Sequence, residues 1–159
     1  MSHTLILLRH AKSAWPPDTP DADRPLAGRG RRDAPAVGHW LREQNITIDL
    51  VVCSPAVRTV QTWELVADQL DAIPRVRYDE SLYGACAADL LPIIQEFPLK
   101  VSTAVLVGHN PGLEDFLTLL TGVTEPFKTS TIAVMTTPER WQEVRPGSWS
   151  LKTLLTPRG

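Results

Sequence analysis

Three aliphatic runs of strand length, each ending at a polar or charged residue, constrain this chain more than any other feature. Thr4-Leu5-Ile6-Leu7-Leu8 ends at Arg9, Asp49-Leu50-Val51-Val52-Cys53 at Ser54, and Thr103-Ala104-Val105-Leu106-Val107 at Gly108 and His109. Continuous apolar character without alternation is the pattern of a strand buried on both faces, which occurs in parallel sheets covered on each side by helices. The intervening segments have helical spacing. Ala34, Val37, Trp40 and Leu41 share one face of a helix predicted over roughly Gly30 to Gln44, and a second is predicted over roughly Val57 to Leu70. Ser54-Pro55 reads as an N-cap and a first-turn proline for that second helix, and Pro111 starts a further one through Leu120. Asp89 to Phe97 reads as helical with Pro92 in the first turn, and Arg75 to Tyr78 as a short strand. Thr131 to Thr136, Ser150 to Leu155 and Trp141 to Val144, the last before a Pro146-Gly147 turn, are strand-like and suit an antiparallel edge. The alternation predicts an α/β fold, a three-layer αβα sandwich with a mainly parallel central sheet, whose ligand sites lie beyond the carboxyl ends of the strands.

Size and charge narrow the possibilities. A chain of 159 residues is of single-domain length, so residues 1–159 are expected to form one domain. The 43% hydrophobic and 21% charged residues suit a soluble globular protein. A formal charge of −2 gives no reason to expect nucleic acid or a membrane surface as a partner. Leu5 to Leu8 is too short for a signal-peptide core or a spanning helix, which makes the cytoplasm the expected compartment. Cys53 and Cys86 have no CxxC spacing and no Cys/His companions for zinc, so both are expected to be buried free thiols, with no metal or cofactor. Trp15 to Arg24, rich in proline and aspartate, reads as a loop.

The strand ends carry the chemistry. Arg9 and His10 follow the first run, Ser54 to Arg58 the second, and Gly108-His109-Asn110 the third. An arginine at the end of a buried strand needs an anion, and Arg58 lies one turn into a helix whose amides also favour one. Two planar guanidinium forks suit phosphate oxygens, and His10 and His109 converge on the same place. His3 lies near the terminus and His39 mid-helix beside core positions. Trp40 and Trp63 read as packing, Trp15 as a hydrophobic anchor for its loop or a rim of the site, Arg29, Arg31 and Arg32 as a solvated face, and Lys12 as a rim or solvated cation.

Leu8-Arg9-His10-Ala11-Lys12-Ser13, Ser54-Pro55-Ala56-Val57-Arg58-Thr59-Val60-Gln61-Thr62 and Gly108-His109-Asn110-Pro111-Gly112, in this order, resemble the histidine phosphatase superfamily with its phosphoglycerate-mutase-like fold. Asp23-Arg24-Pro25-Leu26 with Gly30-Arg31-Arg32-Asp33-Ala34 further resembles its small SixA-type branch of phosphohistidine phosphatases. The chain departs at Ala11, where many relatives have glycine. The resemblance implies that His10 is the nucleophile that becomes phosphorylated and that Arg9, Arg58 and His109 hold the phosphoryl group. It also implies that Ser13 touches substrate oxygens, although Ser13 equally suits a cap of the turn after Lys12. Glu80, in Asp79-Glu80-Ser81-Leu82-Tyr83-Gly84, resembles the acid that protonates a leaving group; Asp79 is its rival and a solvated loop carboxylate the plainer reading. The neighbouring arginines are expected to lower the pKa of His10. The implied activity is a metal-independent phosphatase acting through a phosphohistidine intermediate on a phosphorylated protein, above all protein phosphohistidine. A small-molecule phosphomonoesterase or mutase on the same site is the first alternative, and a non-catalytic phosphate-recognising adaptor the second.

Overall fold

The computed structural model describes residues 2–159. Among them the strands are β1 (His3–Arg9), β2 (Leu50–Cys53), β3 (Arg75–Tyr78), β4 (Thr103–Gly108), β5 (Ile132–Thr137) and β6 (Ser150–Leu155), and the α-helices are α1 (Gly28–Glu43), α2 (Val57–Ala67), α3 (Ala87–Gln95) and α4 (Gly112–Thr121). The strands form one sheet in the order β3-β2-β4-β1-β5-β6. The first four of that order run parallel, and β5 and β6 add antiparallel pairs at the β1 side. The apolar runs account for the parallel centre, because a strand buried on both faces needs a core on each. Leu5 and Leu7 join Leu50, Val52, Ala104 and Leu106 in one core, beneath α3 and α4. Ile6 and Leu8 join Val51, Cys53, Val105 and Val107 in the other, beneath α1 and α2. Leu5 to Leu8 are each fully buried, worth about 2 kcal/mol per side chain in area removed from water.

Connection handedness explains the division of helices. The chain moves from β1 outward to β2 and β3 through α1 and α2, then turns back through α3 to β4. Right-handed crossovers that travel in opposite directions lay their helices on opposite faces. The reversal opens a crevice at the carboxyl ends of β1, β2 and β4, the position where open α/β sheets bind ligands. The three-layer architecture expected from the sequence is present.

Several local expectations are corrected. Trp141–Glu143 is a 3-10 turn and not a strand. Its Trp141 is fully buried against Phe97 and Trp149 and donates its indole N–H to the Val101 carbonyl at 2.7 Å, so side-chain burial, not pairing, sets this segment. Helix α2 begins at Val57 without a side-chain cap; Ser54 does not cap it, and Pro55 precedes it. Pro92 lies inside α3 and not in its first turn, because the helix already starts at Ala87. Cys86 is exposed and not buried: it precedes α3 and bonds Asp89, while Cys53 is buried and its thiol pKa is pushed up to about 12 by that burial. His39 is exposed, near Arg42 and Glu43. Trp63 is buried as expected, and Trp40 packs partly buried on its core. No helix is long and apolar enough to cross a membrane among the described residues.

Candidate active site

The loops that leave the strand ends enclose a cavity of about 230 Å³, lined by Arg9, His10, Lys12, Ser13, Trp15, Arg24, Arg58, His109, Asn110 and Thr129. Five of the six expected site residues therefore meet there. A slightly larger hollow of about 290 Å³ lies at the opposite end of the sheet around Ile46 and Ile73, and it contains no histidine.

His10 directly follows β1 and is 5% exposed. Its Nδ1 lies 2.7 Å from the Ala11 carbonyl oxygen. A carbonyl only accepts, so Nδ1 carries the proton and the lone pair sits on Nε2. The pKa of His10 is lowered to about 3, first by burial, which outweighs the raising effect of the Ala11 carbonyl, and then by His109, Arg58 and Arg9. The arginines act in the expected direction, but burial is the larger cause. His109 follows β4, with its ring centroid 5.5 Å from that of His10. Its Nε2 is 2.8 Å from Ser54 Oγ, and burial followed by Arg58 lowers its pKa to about 4. Both rings are therefore neutral near pH 7 when no anion is bound. A dianion beside them would raise both values.

Backbone carbonyls, the Asp21 carboxylate and the Trp15 ring hold the cations. Arg9 Nη1 donates to the Phe127 carbonyl at 2.9 Å, a carbonyl that Asn110 Nδ2 also reaches at 2.9 Å. Arg58, in the first turn of α2, donates from Nη1 to the Asp21 carbonyl at 2.7 Å and from Nη2 to Asp21 Oδ2 at 3.0 Å. Arg24 is buried, with its guanidinium carbon 3.4 Å above the centre of the Trp15 ring. Arg9 Nε, Arg58 Nε, and Arg24 Nε and Nη1 are all buried without a hydrogen-bond partner, although Arg24 Nε is 3.2 Å from Asp21 Oδ1 as an unaligned ion pair. Unpaired buried donors are costly, and their gathering around one cavity fits a tetrahedral oxyanion that would accept from them.

The backbone that carries these groups is braced. Thr62 Oγ1 accepts from the Ala11 N–H at 2.9 Å and donates to the Arg58 carbonyl at 2.7 Å, which ties the segment after His10 to the helix of Arg58. Gln61 Oε1 accepts from the Leu26 N–H at 2.8 Å and holds the end of the Trp15 loop. Ser130 is fully buried at a φ of 66°, a left-handed conformation unusual for a residue with a side chain. Its N–H points at the carbonyls of Arg9 and His10, at 3.2 and 3.1 Å. Such a conformation persists only where surrounding contacts hold it, and these bonds tie it to the two residues that end β1 and begin the site. A Cβ on Gly30 would run into the Lys12 backbone, so α1 can lie this close to the site only with glycine there.

Glu80 is the expected residue that lies apart. It is exposed and lines an adjoining depression with Ala22, Pro55, Ala56 and Tyr83, not the cationic cavity. Asp79 accepts from the Ser81 N–H at 2.9 Å and the Ser81 hydroxyl at 2.6 Å, and the hydroxyl bond first of all holds its carboxyl below the usual carboxylate range. Asp79 is thus a turn-forming carboxylate and a poor proton donor. Ser13 is buried and bridged to Leu26. Trp15 is 75% exposed, so it is a rim and not a hydrophobic anchor, its exposed ring stacked on Arg24. Arg29 contacts Asp33 at 3.4 Å, at one side of the otherwise solvated basic face of α1. Sequence reasoning assigned no role in the site to Asp21, Arg24, Thr62, Tyr83 or Ser130, and read Ser54 only as a helix cap. The buried Arg58 beside an aspartate-rich loop was the available signal for Asp21, since such an arginine needs a counter-charge. No three or more His, Cys, Asp or Glu side chains gather in a metal-holding group among the described residues.

Known proteins are similar to this chain in sequence and in fold. Residues 5–98 match the model of the histidine phosphatase superfamily, branch 1. An uncharacterized protein of Mycobacterium tuberculosis (strain H37Rv) is 39% identical over 162 aligned positions, which cover 95% of this chain and 100% of that protein. The structure of a candidate phosphohistidine phosphatase SixA from Nakamurella multipartitia superposes with a TM-score of 0.86 at 30% identity, covering 99% of this chain and 97% of that one. The protein histidine phosphatase SixA in complex with tungstate superposes with a TM-score of 0.79 at 26% identity, over 97% of each chain. The αβα sheet order, the strand-end cluster and these matches converge: the chain belongs to the histidine phosphatase superfamily and has its phosphoglycerate-mutase-like fold.

Proposed function

We propose that the chain is a metal-independent phosphatase that acts on protein phosphohistidine through a phosphorylated His10. The observation that carries this reading is the 2.7 Å bond from His10 Nδ1 to the Ala11 carbonyl, which leaves the Nε2 lone pair free inside a cavity of arginines. In the first step Nε2 attacks phosphorus and a new N–P bond forms. The bond from phosphorus to the substrate nitrogen breaks, its electron pair stays with the departing imidazole, and that imidazole takes up a proton from solvent. The Ala11 carbonyl, at the Nδ1 proton, stabilises the positive charge that the His10 ring acquires. Arg9, Arg24 and Arg58 surround the phosphoryl oxygens with His109 and supply the positive charge that a metal provides in other phosphatases. In the second step water attacks phosphorus and gives up a proton, the N–P bond breaks, and its electron pair returns to Nε2 as phosphate leaves.

The position of Glu80 supports phosphohistidine over alkyl phosphates. An alkoxide needs a proton as it leaves, imidazole needs less help, and Glu80 is outside the residues lining the cavity. The similarity to structures described as SixA supports the same substrate class. A turnover panel of phosphohistidine protein, nucleotide, sugar phosphate and aryl phosphate tests the assignment. Phosphohistidine protein is expected to exceed the sugar phosphate in kcat/KM by about tenfold or more. Faster turnover of nucleotide or sugar phosphate would replace this reading with a small-molecule phosphomonoesterase that uses Glu80 as its acid.

A further inference from the structure

Asp21 is the carboxylate paired with the arginines of the cavity. Its Oδ2 accepts from Arg58 Nη2 at 3.0 Å and from the Tyr83 hydroxyl at 2.5 Å, its Oδ1 lies 3.2 Å from Arg24 Nε, and its backbone carbonyl accepts from Arg58 Nη1 at 2.7 Å. Both terminal nitrogens of Arg58 are thereby engaged from one residue. The Asp21 side chain is itself half exposed, whereas that of Arg58 is 7% exposed. The carboxylate is thus not buried with the arginine but laid across it from a short 3-10 turn, Asp21–Asp23. Tyr83, whose ring meets His109 edge-on with centroids 5.5 Å apart, holds it from the opposite loop. The Tyr83 hydrogen bond and then Arg58 lower the pKa of Asp21 and keep it ionised.

A fixed negative charge at this place has a definite consequence. A phosphoryl dianion bound to Arg58 must share the guanidinium with Asp21 and lies within a few ångströms of a like charge, where interactions at a partly buried site are worth kcal/mol and not tenths. We propose that Asp21 is an internal counter-anion of the phosphoryl cradle: it competes with phosphate for Arg58 and Arg24, weakens the grip on the product, and thereby lets phosphate leave after the second step. This rests on the phosphatase reading and adds the control of product affinity to it. The contrary role, in which Asp21 merely holds Arg58 in position, makes the opposite prediction. Removing a competitor tightens phosphate binding, whereas removing a brace weakens it.

The test is calorimetric titration of the full chain with inorganic phosphate, which needs no turnover and no particular substrate. Asp21→Asn keeps the size and an acceptor oxygen but removes the charge, and is expected to lower the Kd of phosphate about five- to tenfold. Asp21→Glu retains the charge and is expected not to tighten binding. Asp23→Asn removes an equal charge two residues away, where no bond to the arginines exists, and is expected to leave the Kd within about twofold of wild type. Weaker or unchanged phosphate binding in Asp21→Asn, or equal tightening in Asp23→Asn, would overturn the counter-anion role while leaving the phosphatase reading standing. Failure of the wild-type chain to bind phosphate at all would overturn both.

Discussion

Thr62→Val isolates the brace between the nucleophile and the arginine without touching either. The substitution is nearly isosteric, on a fully buried side chain, and it removes one hydroxyl that serves two backbone groups. The Ala11 N–H loses its acceptor at 2.9 Å and the Arg58 carbonyl loses a donor at 2.7 Å. The carbonyl tolerates this loss within a helix, but the N–H is left buried and unpaired, at a cost of about 1–3 kcal/mol. The Ala11 carbonyl that orients the His10 ring belongs to the same residue, so relaxation of this N–H also loosens the Nδ1 bond. A displacement of the attacking nitrogen by about 1 Å is enough to lower kcat by about 100-fold. Urea denaturation and steady-state kinetics on one preparation read both effects, and Thr62→Ser, which restores the hydroxyl, should recover most of each. A variant that loses stability but keeps wild-type kcat would show that the hydroxyl serves packing alone. Full stability and activity would show that the hydroxyl braces neither backbone group.

The other predictions concern the site itself. Burial holds the His10 pKa near 3 against an ordinary 6.5, so between those values the unfolded chain binds a proton that the folded chain excludes. Stability from this group is complete above pH 6.5 and is lost as pH falls towards 3; at pH 5 the loss is about 2 kcal/mol, and His10→Asn should abolish that part of the pH dependence measured by denaturation. An unchanged pH profile in His10→Asn would contradict it. Arg58→Ala removes the fork from the phosphoryl oxygens and should lower kcat/KM by about 100-fold with weaker phosphate binding; wild-type kinetics would reduce the segment Ser54 to Thr62 to a helix start. Glu80→Gln should change phosphohistidine turnover by less than about threefold, and a 100-fold loss on that substrate would place a proton donor where the account has none.

The strands and layers were legible because burial on both faces writes an uninterrupted apolar run. Thr4 to Leu8, Leu50 to Cys53 and Thr103 to Val107 could satisfy their side chains in few other ways. The same run lengths located the strand ends, and with them Arg9, His10 and His109. Elsewhere local pattern was overruled by distant contacts. Trp141 to Val144 has strand-forming residues, yet the burial of Trp141 under the Val101 carbonyl draws it into a turn. Ser54 precedes a proline and a helix, yet its hydroxyl is taken by His109, 55 residues away in sequence. Asp21 reads as one of several loop aspartates, and its pairing with Arg58 spans 37 residues that no local rule connects. Arg24 and Ser130 were hidden in the same manner, since a stacked guanidinium and a left-handed serine are properties of the folded cavity.

In the proposed mechanism the phosphoryl group passes through Nε2 of His10. Rapid mixing of the protein with labelled phosphohistidine protein, quenching in base and mapping by mass spectrometry tests it directly. A transient label is expected on the peptide carrying His10, stable in base and lost in acid, which forms before phosphate is released and is absent from His10→Ala. An acid-stable label on Ser13 or another hydroxyl, or turnover by His10→Ala at a rate near that of wild type, would contradict it.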